Sequence, residues 1–148
     1  MFVSGKADGV DTSVVRPSNW NATHIGPPPV IPIVGALTTW TNMPSAATEF
    51  TGTPRTKVDL GAVDDVRIVV CVGVVGNAGA TLVVQYSTDQ SAWNTLTDTV
   101  SINALNVQVS AWSTIPAGAK GDVFLRVVGA GGNGTMDPQI KLVQLQVR

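Results

Sequence analysis

The chain is poor in the groups that do chemistry. Its 148 residues include one cysteine, one histidine and, at Glu49, one glutamate. A single thiol excludes an intrachain disulfide framework. Cys71 lies in the apolar run Val69-Val-Cys-Val-Gly-Val-Val75, where it reads as a small core residue. The one histidine, His24, falls in a proline-rich stretch, and no Gly-x-Ser-x-Gly elbow is present, so nucleophilic catalysis lacks its parts. Paired carboxylates for glycoside hydrolysis reduce to the adjacent Asp64 and Asp65. Neighbours on a strand point to opposite faces, and in a turn such residues cap backbone amides. No spacing of His, Cys, Asp or Glu suits a transition metal. Asp89, Asp122 and Asp137 are the loop carboxylates calcium could use, and a structural turn is the stronger reading for each. The expectation is therefore a protein without catalytic residues, cofactor or metal.

Charge is scarce as well. Charged residues make up 13% of the chain, about half the usual ~25%. Net charge is −1, and the nine Lys and Arg are scattered from Lys6 to Arg148. Nucleic-acid binding by counterion release and polybasic recruitment to a membrane both need clustered positive charge, so neither partner is expected. No apolar run approaches the ~20 residues of a membrane helix. Residues 1–20 lack an apolar signal core, which predicts synthesis in a cytoplasm.

What the chain has instead is apolar and neutral-polar surface. Hydrophobic residues make up 44% and mean hydropathy is positive, so Thr, Ser, Asn and Gln must supply the polar exterior. A chain this long buries roughly 70% of its unfolded surface and folds without staples. From residue 56 onward it reads as strands punctuated by turns. Lys57–Leu60 is short. Asp65–Val75 is nearly all apolar, as in a strand covered on both faces. Thr81–Tyr86 returns from a turn at 76–79, and 88–91 turns again before Ala92–Leu96. Leu105, Val107, Val109 and Ala111 alternate with Asn106, Gln108 and Ser110, and Val143, Leu145 and Val147 alternate with Gln144 and Gln146. Both patterns predict half-buried antiparallel strands with the apolar side inward. Asp122–Val128 is a further core strand running into the glycine-rich loop 129–134. That loop is followed by Thr135-Met-Asp-Pro138, with no Lys-Ser/Thr and no helix, so it is not a phosphate cradle. Residues 37–42 are strand-like, and 43–50 form a connector with room for one helical turn. Seven to nine short strands and no amphipathic helix predict an all-β, antiparallel, jelly-roll-like β-sandwich.

The first 35 residues follow different rules. Pro17, Pro27, Pro28, Pro29 and Pro32 remove backbone donors and bias their neighbours to extended geometry, so this segment is not helical. It also lacks the composition of a solvated tail. Val14, Val15, Trp20, Ile25, Val30, Ile31 and Ile33 give it an apolar side that needs a surface to lie on. The organisation predicted is a docking arm over 1–35 and a sandwich over 36–148. Val14, Val15, Arg16, Trp20, His24, Ile25, Val30 and Ile31 are the candidate partner-binding residues. Of the four tryptophans, Trp112 is the candidate exposed aromatic on which a glycan could stack.

The arm segment "SVVRPSNWNATH" resembles a motif of tailed-bacteriophage virion proteins, found in small accessory structural proteins and near the start of fibre-type chains. "TWTNMPSAATEF", "VQYSTDQSAWNTL" and "DVFLRVVGAGGNG" are similar to pieces of β-sandwich domains in phage tail and capsid-surface proteins. The resemblance implies a non-enzymatic virion protein made in the host cytoplasm. Its foremost form is a capsid decoration or cement protein whose arm staples neighbouring subunits of the major capsid protein. Homo-oligomers, with a trimer at a capsid three-fold position, fit that role by analogy. The alternative is a tail-associated fibre, collar or baseplate component, or a carbohydrate-binding adhesin. Ser87–Trp93 loosely resembles the Asp-box hairpin of sialidase-like propellers, one residue short and without the central glycine. That likeness implies only that Asp89 holds turn amides and Trp93 packs on the sandwich.

Overall fold

The computed structural model describes residues 29–34, 41–42, 46–49, 55–76, 80–132 and 138–148. Its two antiparallel sheets pack face to face as a β-sandwich. The first sheet runs β1 (Val30–Val34), β12 (Gln139–Val147), β5 (Asp65–Val74), β10 (Ser113–Thr114). In it β2 (Thr41–Asn42) also pairs with β12, and β9 (Asn106–Val109) with β5. The second runs β3 (Thr48–Glu49), β11 (Asp122–Ala130), β6 (Ala80–Ser87), β7 (Asn94–Thr95), with β4 (Thr56–Asp59) on β11 and β8 (Val100–Ile102) on β6. The long pairs are nested: β5 with β12 in one sheet, β6 with β11 in the other. The chain crosses between sheets from β5 to β6 and again from β11 to β12, as in a rolled-up jelly-roll hairpin.

Alternation builds the core. Val66, Ile68, Val70 and Val72 of β5 face inward, as do Leu82 and Val84 of β6, Val123, Leu125 and Val127 of β11, and Ile140, Val143 and Leu145 of β12. Each such side chain, taken out of water, contributes roughly 1.5–3 kcal/mol before chain entropy is counted. Leu60 and Ala119 close one end of the core, where a 3-10 turn at Ala117–Ala119 leads into β11.

Five readings of the sequence change here. Val30 and Ile31, placed in the docking arm, belong to β1, a strand of the sandwich itself: Val30 lies opposite Gln146 and Ile31 opposite Leu145. Ile31 packs against the core and Ile33 is buried in it. An edge strand tolerates Pro32, because the N–H it lacks need not enter the ladder, and a bulge between Pro32 and Val34 accommodates the ring. Within 43–50, Thr48–Glu49 is a strand rather than a helical turn. β5 is buried on one face only: Arg67, Val69, Cys71 and Gly73 are half-exposed on the other, so Cys71 is not a core residue. β9 is a strand, as its alternation requires, but with its sides reversed. Leu105, Val107 and Val109 are exposed, while Ser110 is buried. Gly129 and Ala130 extend β11 rather than opening the loop.

Candidate interaction surface

The outer face of the first sheet carries the unusual chemistry. Register across β12, β5 and β9 sets Leu142 beside Cys71 beside Val107, and one step along, Gln144 beside Val69 beside Val109. Pro32 of β1 continues the second row. The first row is wholly apolar and the second nearly so, on a face turned away from the core. Leu105 is 55% exposed, Val107 58% and Val109 43%. The surrounding chain is neutral: from Thr99 to Ala119, between Asp98 and Lys120, no charged residue occurs.

A buried hydroxyl fixes the end of β9 to β5. Ser110 turns inward, and its Oγ accepts the Ile68 N–H at 2.9 Å while donating to the Ala111 carbonyl at 2.8 Å. The Ser110 N–H in turn donates to the Ile68 carbonyl at 3.0 Å. Strand period then turns Val109 and Val107 outward. Asn106, at φ 68°, takes the left-handed backbone that starts the strand, a conformation Asn tolerates better than most residues. The second sheet repeats the device. Thr97, also buried, offers Oγ1 to the Val84 N–H at 3.1 Å.

Two arginine–tryptophan clusters border the sandwich. The guanidinium carbons of Arg67 and Arg148 lie 4.5 and 4.4 Å from the centroid of the Trp112 ring. Arg67 also donates to Gln146 at 2.7 Å, and Arg148 Nε to Asp65 at 3.0 Å. A hydrogen bond from Thr114, then one from Arg148, holds the Asp65 carboxyl below its ordinary value. Trp112 is thus half-buried beneath two cations, which claim ring surface a sugar would stack on. On the other sheet, Arg126 and Arg55 lie 4.3 and 5.0 Å from the Trp93 centroid. Arg55 grips Glu49 through Nε and Nη2 at 2.8 and 2.7 Å, with Arg126 at 3.6 Å. The Arg55 hydrogen bonds depress the Glu49 carboxyl. Asp89 accepts the Ser91 and Ala92 N–H groups and the Ser87 and Ser91 hydroxyls, and these bonds hold it far below the usual carboxylate range. This is the structural turn expected of it, with Trp93 lying on the sandwich beside it.

Of the candidate site residues, Val14, Val15, Arg16, Trp20, His24 and Ile25 lie outside the described residues. Val30, Ile31 and Trp112 are placed as above, and the structure does not gather them into one site. Among the described residues, no three His, Cys, Asp or Glu side chains are grouped to hold a metal ion, and no helix is long and apolar enough to cross a membrane. Asp122 faces Lys57 at 3.9 Å, and Asp137 is outside the described residues. The apolar outer face was the feature missed from the sequence. Its signal was the charge-free stretch around Val107 and Val109, which inward-facing strands do not need. Comparison of the chain with protein-family models, with the curated proteins and with the solved structures gives no match.

Proposed function

We propose that this chain is a non-enzymatic structural protein of a tailed-phage virion, foremost a capsid decoration or cement protein that docks through its N-terminal segment. The observation that carries the reading is the junction between segment and body. The apolar, proline-rich residues 13–28, with their virion-protein resemblance, run directly into β1. The Val147 N–H donates to the Pro29 carbonyl at 3.0 Å, so the residue that follows the segment in the chain is tied to β12. Docking of Val14, Val15, Trp20 and Ile25 onto a partner contributes at most roughly 1.5–3 kcal/mol per buried side chain, less the cost of ordering. The prolines reduce that cost by narrowing the free ensemble. The neutral exterior supports a role in fixed contacts over one in binding charged ligands.

The experiment is co-sedimentation of the purified chain with capsids lacking it, beside tail fractions of the same virus. Saturable capsid binding, lost on removing residues 1–28, is the expected result. Binding to tails alone moves the role to a fibre, collar or baseplate component. Equal capsid binding by residues 29–148 overturns docking by the segment.

A further inference from the structure

We propose that β9 is a self-pairing edge, through which two copies of this chain join β9 to β9 across a two-fold axis at Gln108. The proposal is independent of the virion reading.

β9 pairs with β5 on one side, and among the described residues no strand pairs with its other side. The Ser110 N–H points into β5, bonded to Ile68. In an antiparallel ladder the direction of the backbone groups alternates, so Gln108 points the same way and Val107 and Val109 present N–H and C=O to the open side. The Gln108 side-chain amide reaches the Val107 carbonyl at only 3.5 Å, a poor substitute for a ladder bond. A second β9, antiparallel and in register about Gln108, sets Val107 opposite the partner copy's Val109 and the reverse. Four backbone hydrogen bonds close this contact, two from each copy.

The side chains favour the same partner. Natural edges carry charge, proline or a bulge that blocks pairing. β1 has Pro32 and its bulge, and β4 has Lys57 and Asp59. β3 and β7 are two residues long. β9 has none of these devices, and its outward side chains are valines. Two-fold pairing lays the row Leu142–Cys71–Val107 of one copy against the Val109–Val69–Gln144 row of the other, which joins their apolar faces into one surface. Thr99 to Ala119 is uncharged and the chain's net charge is only −1, so two copies meet without appreciable repulsion. The contact is small beside the ~800 Å² per partner of a standard interface, so micromolar dimerisation is its expected strength.

The test is sedimentation of the intact chain from about 1 to 200 μM, a range that spans micromolar dissociation constants. It runs beside Val107→Lys and, on a Cys71→Ser background, Gln108→Cys. The expected outcome is a concentration-dependent dimer, weakened at least tenfold by Val107→Lys with an unchanged melting temperature. Gln108→Cys should oxidise to a covalent dimer, because non-hydrogen-bonded pairs on a two-fold bring Cα atoms to about 4.5 Å, within disulfide reach. A monomer throughout, an odd-numbered assembly, or a dimer indifferent to Val107→Lys overturns the proposal. Failure of Gln108→Cys to cross-link a confirmed dimer overturns the register. Neither assay involves a capsid, so its outcome is separate from that of the docking test.

Discussion

Removing one buried hydroxyl should cost more than its size suggests. Ile68 is fully buried at the centre of β5, and its N–H has the Ser110 Oγ as its acceptor. Ser110→Ala leaves that donor in a dry core without a partner, at a cost of about 1–3 kcal/mol. Thr97→Val does the same to the Val84 N–H in the other sheet while conserving side-chain volume, so no cavity term confuses the result. Thr97→Ser, which keeps the oxygen, is the control. At about 4 °C per kcal/mol for a domain of this size, each loss lowers Tm by about 4–12 °C. The two sites act on different sheets, so their effects should add within about 0.5 kcal/mol in the double variant. Thermal and urea melts of the parent and the four variants measure this, with an unchanged urea slope showing that the denatured state is the same. If Ser110→Ala and Thr97→Val both fall within about 0.5 kcal/mol of the parent, the hydroxyls are not the acceptors that sustain these strands.

Truncation should divide at β1: residues 29–148 melt like the intact chain, whereas residues 35–148 lose the buried Ile33, bare the edge of β12 and aggregate on gel filtration. Leu145→Ala, at a fully buried position between β1 and β5, should cost about 2–5 kcal/mol by urea denaturation. In acid the sign is fixed by Glu49, Asp65 and Asp89, all held below their ordinary carboxyl values. Groups so depressed contribute stability that is complete above the unfolded pKa near ~4 and lost as pH falls through the folded value. The urea midpoint should therefore stay level from pH 7 to about 5 and fall below about 4, with a shallower fall in Glu49→Gln. A midpoint that rises on acidification contradicts these ion pairs and hydrogen bonds.

Strand period was legible in the sequence wherever one residue type marked each side. Val143, Leu145 and Val147 against Gln144 and Gln146 gave the strand and its inward face correctly, because glutamine has no reason to enter that core. The same rule applied to Val107 and Val109 gave the strand and inverted the face. Period is a local property, whereas the choice of face depends on contacts with the neighbouring strand, here the bond from the Ile68 N–H to the inward Ser110 hydroxyl. In β5 the uninterrupted apolar run implied two covered faces. In fact it reflects one core face and one outer face that is apolar in its own right. Pro29 and Pro32 marked the extended backbone of Val30–Val34 correctly. They did not show where extension becomes pairing, since an edge strand and an unpaired arm have the same backbone angles. The arginines over Trp93 and Trp112 come from distant strands, and no local pattern announces them.

The position of β1 also has a mechanical consequence. Tension applied at Pro29 reaches the body through the β1–β12 ladder, whose partners run from Gln146 beside Val30 to Val143 beside Val34. A pull along the strand loads those bonds together in shear, and they yield only as a group. A pull across the strand opens them one after another from Val30. The sandwich is thus strong toward one direction of tug and weak toward another, and the angle of a pull at Pro29 selects which resistance it meets.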